Sequence, residues 1–129
     1  MTHVLGNIKE IDMTNSILDF VKEFNGVLDE DKDFDNDFIA NINAAFMILW
    51  QLGVGPKTPF SIKDSTATWE DFIDDNIYID SVKTYVGLKV RMMFDPPSSS
   101  THADAINRNI AEMEWRLQVA SEHKQKEEG

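Results

Sequence analysis

Apolar residues recur at three- and four-residue spacings in four stretches of the chain, the period of a helix seen from its buried side. Ile17, Phe20, Val21 and Phe24 make the first and predict a helix from about Ser16 to Asn25. Ser16 followed by Asp19 has the spacing of a capping box, and Asn25-Gly26 ends the element. Phe38, Ile42, Ala45, Phe46, Leu49 and Leu52 form the second stripe, over 35–52, and Ile39, Met47 and Trp50 widen it. So broad an arc belongs to a central helix packed on more than one side, and Gly53 follows it as a C′ glycine. A third helix is predicted over 79–94, with Val82, Val86, Val90 and Met93 on one face and Tyr85, Leu88 and Met92 on another. Gly87 inside it costs about 1 kcal/mol against Ala, and so reads as a point of close helix approach. Pro96 forces Asp95 out of the helical region and stops the element. Ile106, Ile110, Met113, Leu117 and Ala120 then repeat as a heptad seam. They predict a long last helix over 102–124, capped by Thr101 and Asp104 and frayed beyond.

The connections carry their own signals. Asp29, Asp31 and Asp33 alternate as calcium ligands would, but the EF-hand register then puts Phe34 where glycine is needed and Ala40 where a bidentate Glu is needed. Registers starting at Asp31 and Asp33 end on Ile42 and Ala44, so the stretch reads as a solvated acidic loop without a metal. Its last acids favour the positive N-terminus of the second helix. The connection over 53–68 is long for a small domain, and such loops are usually functional or mobile. Within it Phe60-Ser61-Ile62-Lys63 alternates as a short strand would. Phe60 and Ile62 there are candidates for a partner surface, against the reading that they fold back on the core. Thr68 with Asp71 caps a short helix bearing Trp69, Phe72 and Ile73.

These elements predict an all-α fold: a small helical bundle with a long inter-helix loop and a long C-terminal helix. Residues 1–14 read as an N-terminal arm, 15–120 as the helical domain and 121–129 as a tail. The length of 129 residues suits one domain, and the few breakers, six Gly and four Pro, agree with helices. Cysteine is absent, which excludes a disulfide framework, a thiolate nucleophile and a Cys-based zinc site. The reducing cytoplasm is a natural place of synthesis. No apolar run is long enough to span a membrane, and residues 1–10 lack the pattern of a signal peptide.

Charge changes the picture most. The net charge is −11, with −7 carried by residues 1–52. Such a surface repels phosphate, so a DNA-binding groove is not expected. His3, His102 and His123 are scattered over arm, helix start and tail, and no hydrolase or nucleotide-binding motif is present. The acid pair Asp74-Asp75 follows an apolar pair, but adjacent helix positions diverge. No enzymatic site and no cofactor are therefore expected. Trp115 lies two positions past Met113 and points away from the seam of its own helix. With Arg116 beside it, it is a candidate interface anchor, because Trp and Arg dominate hot spots. The competing reading makes Trp115 a side cap of the core.

Four segments resemble the head–tail connector (adaptor) proteins of long-tailed bacteriophages. They are Ile39-Ala40-Asn41-Ile42-Asn43 leading to Leu49-Trp50-Gln51-Leu52-Gly53-Val54-Gly55-Pro56; Thr68-Trp69-Glu70-Asp71-Phe72; the run from Val82-Lys83-Thr84-Tyr85 through Lys89-Val90-Arg91 to Phe94-Asp95-Pro96-Pro97; and Glu112-Met113-Glu114-Trp115-Arg116-Leu117. The likeness covers about residues 15–120 and departs from the family pattern at Ala40, where a larger polar residue is usual. It implies a virion protein that forms a dodecameric ring, a homo-oligomer, beneath the portal protein. A head-closure or tail protein would bind below, and DNA would pass through without specific binding. An acidic lumen suits that passage, and the loop over 53–68 could become ordered on assembly. A different class, a small acidic regulator or DNA mimic acting as monomer or dimer, also suits the charge. Mimicry wants carboxylates in a regular line, whereas here they cluster in one loop.

Overall fold

The computed structural model describes residues 15–73 and 76–128, with the side chains of 76, 77 and 125–128 left aside. The arm over 1–14, His3 and the pair Asp74-Asp75 lie outside the described residues. Among the described residues there are five helices: α1 (Ile17–Phe24), α2 (Asp35–Gln51), α3 (Trp69–Phe72), α4 (Asn76–Phe94) and α5 (Ser100–Glu128). No strand is found among the described residues, so the protein is all-α, as its apolar periods predict. The alternating run at Phe60–Lys63 is not a strand. The one extended contact nearby is an isolated antiparallel bridge between Ser16 and Thr68.

Helices α2 and α4 pack against each other, α1 packs on both, and α5 packs on α4. Phe38, Ile42, Ala45, Phe46 and Leu49 from α2 meet Val82, Tyr85, Val86 and Val90 from α4, all fully buried. The arc of α2 is narrower than its sequence suggests. Met47 and Trp50 are partly exposed, and the Trp50 indole N–H donates to the Lys57 carbonyl at 2.9 Å. On α4, Tyr85 shares the buried face with the valines, while Met93 turns outward. Gly87 lets α1 come close, because a Cβ there would stand 2.7 Å from the Phe24 ring. Gly53, at φ +84°, makes the left-handed turn that ends α2.

The caps agree in part with their sequence signals. At Thr68 the capping box is complete, with side chain and backbone bonded both ways to Asp71. At Ser16 only half forms: its Oγ accepts from the Asp19 N–H at 3.3 Å, and its hydroxyl donates to the Ser65 carbonyl at 2.7 Å. The last helix starts earlier than predicted and without the Thr101–Asp104 pair. Ser99 takes the role, its Oγ accepting from the His102 N–H at 3.3 Å and its carbonyl from the Ala103 N–H at 3.0 Å. The helix also continues past Lys124 to Glu128. The Ser121 hydroxyl pins it by donating to the Gly53 carbonyl, and the residues beyond are good helix formers.

Candidate functional site

The surface of this chain, more than any cleft, holds the features a functional reading can use. Along α5, Ile106, Ile110 and Leu117 are buried against the body. A step of 100° per residue then places Trp115 and Val119 on the opposite side of the helix. They are 64% and 43% exposed, so Trp115 is no cap of the core. Arg116 is exposed beside it and bonds its own helix, with Nη2 2.8 Å and Nε 3.2 Å from Glu112 Oε1. Glu114 points to the body, where its carboxylate accepts from the Tyr85 hydroxyl at 2.7 Å and lies 3.7 Å from Lys89 Nζ. Burial, reinforced by that carboxylate, raises the Tyr85 hydroxyl above the ordinary tyrosine range. This tie holds α5 to α4 and leaves the Trp115 side facing out.

Phe60 and Ile62 stand elsewhere. Ile62 is 3% exposed, and Phe60 packs edge-on to Phe46 at 5.1 Å and to Phe72 at 5.3 Å. Both side chains thus belong to the chain's own core, as the weaker expectation for a partner surface had to allow. The loop carrying them is ordered within the single chain. Asn43 donates to the Ile62 carbonyl at 3.1 Å and accepts from the Ile62 N–H at 2.8 Å. The Ile17 N–H donates to the Ala67 carbonyl at 3.0 Å. The loop therefore does not wait for assembly to find its partners. Ile62 is buried with its N–H and carbonyl paired, and the Lys57, Ser65 and Ala67 carbonyls accept from Trp50, Ser16 and Ile17.

The acidic connection is also more built than its sequence suggests. Lys22 is fully buried, with Nζ 2.7 Å from the Asp35 carboxylate, 2.6 Å from the Asp31 carbonyl and 3.1 Å from the Asp29 carbonyl. The loop wraps a lysine ammonium where the sequence suggested open solvation. Around it Asp19 is pushed above the usual carboxylate range by burial and by Asp29, and Glu23 by burial and by its contact with Asp29. Among the described residues no group of three or more His, Asp or Glu is arranged to hold a metal ion. None of the described helices is long and apolar enough to cross a membrane.

Beside α5 on its body side lies an open groove of about 490 Å³. Val54 and Pro56 of the long loop, Phe72 and Ile73 at the end of α3, and Leu117 and Ala120 of α5 line it. Glu70 and Asp71 stand along it, and the Glu70 carboxyl is held below its usual range by the Asn15 amide at 2.6 Å. The family model described as Phage connector protein matches residues 17–124.

The chain belongs to the phage connector family.

That family is structural and places the chain in the virion. No curated protein and no solved structure matches the chain. The match begins at α1 and ends within α5, so it takes in the described helices up to residue 124, the clamped long loop, the groove and the Trp115 side of this connector. Sequence reasoning missed Lys22, the Asn43 clamp and the groove. For Lys22 a signal existed: it follows Leu18 by one turn, on a buried face, just before a run of acids. For the groove there was none, because it arises from three segments distant in sequence.

Proposed function

We propose that this connector is a subunit of a dodecameric ring seated between the portal protein and the head-closure or tail proteins, with the genome passing through its lumen. Its work there is mechanical and it catalyses nothing. The exposure of Trp115 carries the reading. A large aromatic left in solvent on a helix that has already buried its own seam has more to gain from a partner than from folding. The net charge of −11 supports a lumen along which a duplex slides without sticking.

The test is Trp115→Ala, scored by co-sedimentation with portal-bearing heads and by electron microscopy of the protein mixed with its portal. Truncating such an anchor costs about 2–4 kcal/mol, roughly 30- to 1,000-fold in affinity. The variant should melt within about 3 °C of the parent, since an exposed side chain adds little to folding. Unchanged sedimentation of the variant would remove Trp115 from the interface. A parent protein that forms no ring on the portal and remains monomer or dimer would favour the acidic regulator.

A further inference from the structure

The outward side of α5 carries an exposed aromatic ridge and a groove lies beside its inward side, and the two cannot meet within one copy. Trp115 and Val119 form a ridge one turn long. The groove is walled by Val54, Pro56, Phe72, Ile73, Leu117 and Ala120. We propose that this groove receives Trp115 of a second copy of the chain, so that each subunit offers a ridge to one neighbour and a groove to the other. The proposal rests on the ring reading above and names the contact that builds it.

Three observations support that occupant. First, the groove, at about 490 Å³, has room for an indole, and its wall is mixed: Val54, Phe72, Ile73 and Leu117 offer apolar contact beside the charged Lys57, Glu70 and Asp71. Second, both surfaces carry both signs of charge: Arg116 and Glu112 beside the Trp, and Glu70, Asp71 and Lys57 along the groove. Opposite charges can then face each other at the contact, although copies of net charge −11 repel as wholes. Third, ridge and groove lie on opposite sides of one helix. Such a contact is heterologous: it cannot close as a two-fold pair and must propagate in one direction. A heterologous contact closes into a ring when the rotation between successive copies divides the circle, and runs on as a filament when it does not, so the ring reading requires a closing rotation here.

The absence of cysteine makes the contact easy to map. Ala111→Cys sits one turn before Trp115 on the same exposed side, and Lys57→Cys sits on the groove rim. Each single variant, their mixture and the double variant are treated with a short bismaleimide, free at high concentration and on portal-bearing heads. The mixture should give cross-linked dimers, the double variant a ladder ending at the ring size, and neither single variant a product. Adding Trp115→Ala to the double variant should weaken the ladder at least tenfold, and Trp115→Phe should largely keep it. Rings seen by microscopy without the mixed cross-link would overturn the ridge-in-groove contact and leave the ring standing. A dimer from Ala111→Cys alone would overturn it in favour of a two-fold contact. Absence of any oligomer, free or on heads, would overturn both readings.

Discussion

Two connections of this chain are irregular backbone held near the middle by a buried or half-buried polar side chain from a neighbouring helix, and the two clamps differ in charge. In the first, over 25–34, Lys22 sends an ammonium into the loop and holds two carbonyls and the Asp35 carboxylate. In the second, over 53–68, Asn43 sends an amide that takes both backbone groups of Ile62. The charged clamp gathers acids that would otherwise repel one another. The neutral clamp does the work of a neighbouring strand, completing a donor and an acceptor at one residue. Charge makes a grip strong but leaves a buried ion when the partner is lost, while an amide leaves only unpaired dipoles.

The largest expected effect follows from that asymmetry. Lys22→Met keeps the buried stem and removes the ammonium. It should cost about 3 kcal/mol, the lower end for breaking a buried pair because Asp35 remains partly wet. In urea melts the loss should be partly recovered by Asp35→Asn in the same chain. A cost below about 1 kcal/mol would show that the acidic loop does not depend on its lysine. Asn43→Ala comes next, at about 2 kcal/mol, because the Ile62 N–H and carbonyl lose their partner in a half-buried place. Asn43→Asp should cost less, since it still accepts from the Ile62 N–H. Equal costs for the two would mean that the clamp matters only through its carbonyl-facing half.

The same pair of regions marks how far the sequence could be read. Helices α1, α2, α4 and α5 were legible because each buries a stripe, and a stripe is a local pattern. The Thr68–Asp71 box was legible for the same reason. The clamps were not, because each joins residues far apart or hides a residue type expected outside. A lysine between acids reads as a surface charge, and only the position of Leu18 one turn earlier hints that Lys22 faces inward. Asn43 lies on α2 one position from Ile42, and nothing local says that the loop 19 residues later needs its amide. The alternation at 60–63 was real, but its pairing partner is a side chain and not a strand. Of the candidate surface, Trp115 and Arg116 were visible as positions off a seam. Phe60 and Ile62 are apolar loop residues, which look alike whether they meet a partner or the core.

The smallest effect is one of pH, and it separates the two clamps by sign. Asp19 and Glu23, beside the charged clamp, have pKa values raised in the fold above 3.8 and 4.5. A raised acid holds its proton more tightly when folded. Its contribution to stability is complete below the unfolded value and is lost as pH rises through the folded one. Above their folded pKa values both groups are charged against the preference of their surroundings. Asp19→Asn and Glu23→Gln should each stabilise the chain by a few tenths of a kcal/mol, a small figure because solvent reaches both groups. Well below the ordinary values of 3.8 and 4.5 the parent is protonated there in both states, and the advantage should vanish. The Asn43→Ala deficit has no titrating partner and should stay constant over the same range. Urea melts in the two pH regimes decide the matter. A Glu23→Gln gain that persists in acid would assign the effect to packing and not to charge. An Asn43→Ala deficit that changes with pH would mean that the long loop, too, is held by ions.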